Sequence, residues 1–229
     1  MTPYLSPDKT HRALEIAELI QSDYERSLST GKDSTWHYKS VQASLHVPHS
    51  GLAVVIVRGT EGPKTGWHVG ADWVRNLRAV PWYDQYLGWA HSGYLKGARG
   101  LFKVCYNDIL AVRHEMPVGF AGHSKGGAEA SDLAAMFYGY FKPAFVVTFG
   151  ASRPGRLAAL EGFPFDRFIH GRDPVPYMPP WISHPKVSVE YSLPPVDDKI
   201  FAVQDHGITG YISSLRQHLV NHEELHGPI

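Results

Sequence analysis

The sequence contains a single cysteine among 229 residues. One cysteine excludes an internal disulfide. Cys105 shares helical spacing with Leu101 and Ile109, and a thiol on such an apolar face is typical of inert packing. We therefore expect this cysteine to be buried and to take no part in catalysis.

Long apolar runs and a signal peptide are also missing. The longest apolar stretches, such as residues 52–57, fall far short of the ~18 residues that a membrane-spanning helix needs. The first residues, Met-Thr-Pro-Tyr-Leu-Ser-Pro-Asp-Lys, have neither the basic start nor the apolar centre of a signal peptide. We expect a protein without a transmembrane segment that is cytoplasmic, or released without a signal peptide.

Neither sign of charge dominates. Lys plus Arg and Asp plus Glu number 22 each, and the pI is about 7.3. This balance lacks the basic field that attracts nucleic acid. The length and the apolar content of 43% fit one α/β domain over residues 1–229. The 14 histidines make any single histidine weak evidence for a site.

Residues 118–127, Val-Gly-Phe-Ala-Gly-His-Ser-Lys-Gly-Gly, contain the pattern G-x-S-x-G, in which Ser124 stands between Gly122 and Gly126. This pattern is typical of a nucleophile elbow, a sharp turn from a strand into a helix that exposes the serine hydroxyl. A side chain at either flanking position would collide with the neighbouring strand or helix, so both must be glycine. The backbone N–H after the serine can stabilise an oxyanion at the helix N-terminus.

The residues around the motif support this interpretation. Met116-Pro117 ends any helix, and the apolar residues that follow predict a short buried strand. Downstream, apolar residues recur at i, i+3, i+4 and i+7, which predicts one buried helix face: Ala130, Leu133, Ala134 and Phe137.

Alternating strands and helices predict an α/β fold, similar to α/β hydrolases, with a mostly parallel central sheet and helices on both faces. Periodicity and turn residues predict helices after Ser6, over 95–113, after Ser124 and from Ile208. Predicted strands cover 36–47, 52–57, the residues before the elbow, 143–149, 165–169 and 186–193, and residues 61–93 are predicted to be irregular.

A serine nucleophile needs a base, and the base needs an acid that fixes its tautomer. On an α/β-hydrolase sheet these residues follow in the order Ser, Asp, His, on loops after strands. Asp173 comes directly after the predicted strand 165–169, and His206 precedes the last predicted helix. The sequence therefore predicts a triad of Ser124, Asp173 and His206.

Several residues are weaker candidates for these roles. Asp205 adjoins His206, but chain neighbours rarely point at each other, and His184 is a second-choice base. Asp72 and Asp84 could be the acid only in a site with a different arrangement from that of the α/β hydrolases. Three histidines are spaced by four residues, which could hold a metal ion but is more typical of a solvated helix face: His218, His222 and His226.

The sequence resembles the class 3 lipases, the family of the small fungal triacylglycerol lipases. The elbow matches the family pattern G-H-S-x-G-G, and His206 with Tyr211 gives the loosest match. The remaining matching segments are Val-Arg-Gly-Thr at 57–60, the residues from Asp72-Trp73 to Asn76-Leu77, His-Ser-Gly-Tyr at 91–94, and Asp-Pro-Val-Pro at 173–176 with Pro179-Pro180.

The resemblance implies that Ser124 is the nucleophile, Asp173 the orienting acid and His206 the base. It also implies an oxyanion hole formed by Thr60 and the backbone N–H of Lys125. Lys125 departs from the leucine that is usual in fungal members, and a charged, exposed residue there argues against an apolar lipid-docking surface. The cysteine pairs of secreted members are absent, and the spacing from Asp173 to His206 is short.

An aromatic-rich stretch lies between Thr60 and Gly93 and contains Trp67, Trp73, Trp82 and Trp89. These rings fit two hypotheses equally well. One is ordinary packing, and the second is a lid or acyl groove beside the oxyanion hole. Residues 75–80, with Arg75 and Arg78 beside Leu77 and Val80, could form an amphipathic lid segment.

The sequence predicts a serine hydrolase that cleaves carboxylic esters through an acyl-enzyme, without a metal or organic cofactor. We expect the substrate to be a small-molecule or lipid ester with a short to medium acyl chain. We expect no nucleic acid partner, and the protein could make transient contact with a lipid surface. A thioesterase, an acyltransferase or a cell-envelope esterase would have the same triad. Two further candidates are a non-catalytic binding module on this scaffold and a metal-dependent hydrolase.

Overall fold

The computed structural model describes residues 3–27, 35–47, 51–59, 80–160, 162–186, 188–195 and 204–227. These ranges contain four α-helices and nine strands. In chain order they are α1 (Pro7–Ser27), β1 (Thr35–Tyr38), β2 (Val41–His46), β3 (Ala53–Val57), β4 (Pro81–Asp84), β5 (Gly88–His91), α2 (Ser92–Glu115), β6 (Val118–His123), α3 (Lys125–Phe137), β7 (Val146–Phe149), β8 (Phe165–His170), β9 (Val189–Leu193) and α4 (Ile208–His226).

Seven strands form the central sheet in the order β1-β2-β3-β6-β7-β8-β9. The five strands from β3 to β9 are parallel, and β1 and β2 are antiparallel additions at one edge. The predicted α/β class with a mostly parallel sheet is therefore confirmed. Because the parallel strands all end at one edge, the residues that directly follow β6 and β8 lie at that edge.

Helices cover both faces of this sheet. The side chains of β3 are buried on both sides, with Val55 and Val57 facing one core and Val54 and Ile56 the second core. The first core lies under α2 and α3, and the second lies under α1 and α4. Burial on two faces explains why β3 has a continuous apolar sequence instead of an alternating one.

The structure corrects two predictions about local structure. The single strand predicted over 36–47 is a hairpin, because the chain turns at Lys39, which has φ of 54°. The irregular stretch predicted over 61–93 contains the two-stranded hairpin of β4 and β5 and the start of α2. Alternating apolar residues continue through the first hairpin, so periodicity alone could not reveal its turn.

Several side chains of the β4–β5 hairpin are exposed. Trp82, Tyr83, Tyr86 and Trp89 each leave more than half of their surface open to solvent. These four rings are therefore not core residues, whereas Trp67 and Trp73 lie outside the described residues. Within the described ranges, no helix is both long and apolar enough to cross a bilayer.

Candidate active site

Ser124 lies at the turn between β6 and α3, where its backbone has φ of 59° and ψ of −132°. Positive φ is rare and strained for a residue other than glycine. The flanking glycines have no room for a side chain: a Cβ on Gly122 would lie 2.6 Å from the Gly126 backbone, and one on Gly126 would lie 2.2 Å from the Val57 carbonyl oxygen. This geometry has the strain and the close packing that are expected of a nucleophile elbow.

Asp173 and His206 meet at the same edge of the sheet. Asp173 follows the end of β8, and His206 lies in a short 3₁₀ turn, Gln204–His206, just before α4. The His206 Nδ1–H donates a hydrogen bond of 2.8 Å to Oδ2 of Asp173. This bond fixes the tautomer that leaves Nε2 of His206 free of its proton, as a general base requires.

Asp173 is completely buried and is held by two further donors. Its Oδ1 accepts a hydrogen bond of 2.9 Å from the backbone N–H of Val175. Its Oδ2 accepts one of 2.5 Å from the hydroxyl of Tyr211. A buried carboxylate needs such partners to remain charged. Sequence reasoning noted Tyr211 only as part of a loose family match and missed its contact with the acid.

His123, the residue before the elbow serine, links the elbow to His206. The two imidazole rings stack with their centroids 4.7 Å apart and 29° between their planes. His123 Nε2–H donates to the His206 carbonyl oxygen over 2.6 Å, and the Tyr24 hydroxyl donates to His123 Nδ1 over 3.1 Å. Burial, followed by the charge of His206, lowers the pKa of His123 to about 3. His123 is therefore neutral, and it joins His206 to the strand residue that precedes Ser124.

The predicted oxyanion-hole residues can be placed only in part. Lys125 is the first residue of α3, and Ser124 makes no side-chain hydrogen bond that caps this helix. Thr60 lies outside the described residues, so its role stays a prediction. Its neighbour Gly59 lies at the elbow, where a Cβ on Gly59 would be 2.8 Å from the His123 carbonyl oxygen and 3.4 Å from Cβ of Ser124.

The sequence suggested that the side chain of Lys125 is exposed, but the structure shows that it is largely covered. Its ammonium pairs with Oε1 of Glu129 at 2.7 Å, and only 24% of its side chain is accessible to solvent. Glu129 itself is completely buried. Sequence analysis missed Glu129 and the equally buried Asp132. The sequence signal that could have revealed them was the presence of two acidic residues in a helix that is buried on several sides.

The weaker acid and base candidates have partners of their own. Asp205 accepts a hydrogen bond of 2.7 Å from the backbone N–H of Arg172. His184 donates one of 2.7 Å to the Pro176 carbonyl, and burial lowers its pKa to about 3. Asp84 pairs with Arg99, and Asp72 lies outside the described residues. The structure brings Asp173 and His206 together and places the weaker candidates that it describes in separate interactions.

The three spaced histidines of α4 do not gather around a common point. His218 donates to the Leu5 carbonyl over 3.1 Å, while the rings of His222 and His226 lie 4.7 Å apart. Across the part of the chain that the structure describes, no group of three His, Cys, Asp or Glu side chains could hold a metal ion. Cys105 is buried, and burial raises the pKa of its thiol to about 12, which keeps it protonated.

The hypothetical lid segment, residues 75–80, can be judged only at its end. Val80 is exposed, and Arg75, Leu77 and Arg78 lie outside the described residues. Next to it, a groove of about 300 Å³ runs between Trp89 on β5 and Trp181 in the loop before β9. Both indole rings are more than half exposed.

A mostly parallel sheet covered by helices on both faces, with a strained serine between a strand and a helix, defines an α/β hydrolase. The family model for class 3 lipases matches residues 54–183, more than half of the 229 residues. The chain belongs to the class 3 lipase family and is a carboxylic ester hydrolase of the lipase type. Ser124 and Asp173 lie within the matched residues, whereas His206 lies beyond them.

Solved structures of lipases share this fold. A lipase from Rhizopus microsporus var. chinensis is 20% identical, with 77% of this chain and 71% of that chain covered and a TM-score of 0.65. The triacylglyceride lipase of Rhizomucor miehei is 19% identical, with 82% of each chain covered and a TM-score of 0.64. A triacylglycerol lipase with a serine protease triad as its catalytic centre is 19% identical, with 85% and 83% covered and a TM-score of 0.67. No curated protein sequence matches the chain.

Proposed function

We propose that Ser124, His206 and Asp173 form the catalytic triad of this ester hydrolase. The observation that carries the proposal is the 2.8 Å hydrogen bond from His206 to the buried Asp173. The ring of His206 also stacks against His123, the residue before Ser124. The order Ser, Asp, His along the chain is the one that α/β hydrolases use.

The mechanism follows from these positions. His206 Nε2 takes the proton of Ser124 as the serine oxygen attacks the ester carbonyl, and Asp173 stabilises the imidazolium that forms. The tetrahedral oxyanion binds the backbone N–H of Lys125 and the N–H and hydroxyl of Thr60. His206 then gives its proton to the leaving alcohol, and a water molecule repeats the cycle on the acyl-enzyme.

The proposed substrates are lipid or small-molecule carboxylic esters with short to medium acyl chains. Family membership and the fold shared with triacylglycerol lipases support an ester of lipid type. A thioesterase, an acyltransferase or a cell-envelope esterase remains an alternative, because each would use the same triad. We also propose that residues 1–229 form one domain, since α1 and α4 pack against one face of the same sheet.

The experiment is hydrolysis of nitrophenyl esters from acetate to palmitate by the wild type and by Ser124→Ala. The expected result is turnover with a maximum at short or medium chains, and its loss in the variant. A serine-directed phosphonate should label the wild type and not Ser124→Ala. Turnover that survives in Ser124→Ala, or that a chelator abolishes, would overturn the proposal. Labelling without turnover on any ester would favour the thioester or envelope alternatives.

A further inference from the structure

The first turn of α3 contains a lysine where local electrostatics disfavour one. Lys125 is the first residue of this helix, and the N-terminus of a helix repels positive charge. A lysine that precedes glutamate by four residues is also the less favourable order for a helical ion pair. Another interaction must therefore favour a lysine at this position, and the ion pair of Lys125 with Glu129 is such an interaction.

Glu129 is wedged between two helices. A Cβ on Gly97 of α2 would lie 2.6 Å from Oε1 of Glu129 and 2.9 Å from Cγ2 of Val41. The carboxylate therefore fills the space that glycine leaves on α2. Because the Lys125 ammonium binds this same oxygen at 2.7 Å, the ion pair connects the elbow turn to the surface of α2.

We propose that the Lys125–Glu129 pair is a strut that holds the first turn of α3 in position, so that the Lys125 backbone N–H faces the oxyanion. Glu129 is then a positioning residue that acts through Lys125. The inference rests on the proposed function, because it concerns the oxyanion hole of the same triad. Ser124 does not cap the helix with its side chain, so this turn needs another restraint.

The titratable groups around Glu129 favour their neutral forms and therefore do not compete with Glu129 for the Lys125 ammonium. On its own helix, Asp132 is completely buried, and neither of its carboxylate oxygens has a hydrogen-bond partner among the described residues. Burial, and then the charge of Glu129, raise the pKa of Asp132 well above its usual value and so favour its neutral form. From the neighbouring segments, His91 and Tyr94 are neutral because burial lowers the pKa of His91 to about 4 and raises the pKa of Tyr94 above its usual value.

The remaining charges near the cluster neutralise each other. Arg99 of α2 pairs with Asp84 at the end of β4. Burial raises the pKa of Glu129 to about 7, and Lys125 opposes this increase. The strut therefore forms fully only above neutral pH, when Glu129 is ionised.

The test compares Glu129→Gln, Lys125→Met and the double variant with the wild type. Active sites are titrated with the phosphonate, and kcat and KM are measured on nitrophenyl butyrate at pH 8. We expect each single variant to lose about tenfold in kcat with KM unchanged, and the double variant to lose no more than the singles. The Ki of a trifluoromethyl ketone, which forms an oxyanion on Ser124, should rise about tenfold as well.

Glu18→Gln is the matched control, because it breaks an exposed ion pair of the same 2.7 Å length with Arg216. It should change none of these values. If Glu129→Gln does not fold, Gly97→Ala displaces the carboxylate while both charges remain, and it should lower kcat in the same way. Wild-type kcat in the folded variants, or losses that add in the double variant, would overturn the strut. Retained turnover in Ser124→Ala would instead refute the proposed triad.

Discussion

The hydroxyl of Tyr211 and the side chain of His206 donate to the same oxygen of Asp173, over 2.5 and 2.8 Å. Burial, and then the charge of Asp173, raise the pKa of Tyr211 well above its usual value, so the tyrosine remains a donor throughout the working range of pH. With the Val175 N–H on the second oxygen, the carboxylate has three donors and one orientation.

Tyr211→Phe removes one of these donors and leaves the ring. We expect kcat to fall about three- to tenfold with little change in KM, because Asp173 would hold His206 less firmly. The free energy of unfolding should fall by about 1.5–3 kcal/mol, as is typical of a lost hydrogen bond to a charged group. Steady-state kinetics and urea unfolding measure the two effects. Tyr86→Phe, at a ring that is 78% exposed, should alter neither.

Asp173→Asn keeps the shape of the acid but removes its charge. The imidazolium of His206 would lose its stabilising partner, and kcat should fall by about 10³–10⁴-fold. Asp205→Asn is the matched comparison, because Asp205 adjoins His206 but bonds to the Arg172 backbone. It should retain activity within about threefold. A larger loss for Asp205→Asn than for Asp173→Asn would reverse the assignment of the acid.

Gly150 lies close to Asp173 and His206. Its φ is +54°, and a Cβ there would lie 2.5 Å from Oδ2 of Asp173 and 3.1 Å from Nδ1 of His206. Gly150→Ala should therefore abolish most activity and also destabilise the fold. Gly162→Ala separates the two causes, because Gly162 has φ of +77° and open space around its Cβ position. It should lose stability from backbone strain but remain active.

Glu129 gives a dependence of stability on pH. Its pKa is about 7 in the folded protein, against a usual value of 4.5. The folded state therefore binds more protons between these values, and the free energy of unfolding falls as pH rises from about 4.5 to about 7. The contribution is about 3 kcal/mol. Asp132 shifts in the same direction and adds to the loss.

The measurement is the difference in unfolding free energy between Glu129→Gln and the wild type at pH 5 and pH 8. The contributions of titratable groups whose pKa does not depend on Glu129, such as His184, cancel in this difference, whereas Asp132 responds to the loss of the Glu129 charge. The variant should gain stability relative to the wild type at pH 8, by up to ~3 kcal/mol. A difference that stays constant with pH would show that Glu129 titrates normally. Glu129→Gln/Asp132→Asn should flatten the profile further.

Patterns within single elements could be predicted from the sequence. The strand before Ser124, the turn and the helix after it are local features, and the structure has them at Val118–His123 and Lys125–Phe137. The order Ser, Asp, His also needed no three-dimensional information. The α/β class followed from the alternation of strands and helices, and it is confirmed.

Contacts between distant segments could not be predicted. Glu129 meets Gly97 only because α2 and α3 pack side by side, and a glycine in a helix has no sequence signal for that contact. His123 could not be separated from the remaining histidines, since its role depends on Tyr24 from α1 and on the carbonyl of His206. The hairpin at Lys39 was missed because alternation continues through its turn.

The segments that carry Ser124, Asp173 and His206 are far apart in the chain, so they leave the ribosome at different times during synthesis. A nascent chain that has reached the end of β9 already contains Ser124 and Asp173 but lacks His206, the proposed base. It also lacks Tyr211, so the carboxylate is still without two of its three donors. The proposed triad and its tyrosine donor are complete only when His206 and the first turn of α4 leave the ribosome. By this order, the proposed triad cannot form until the last strand of the described sheet has been made.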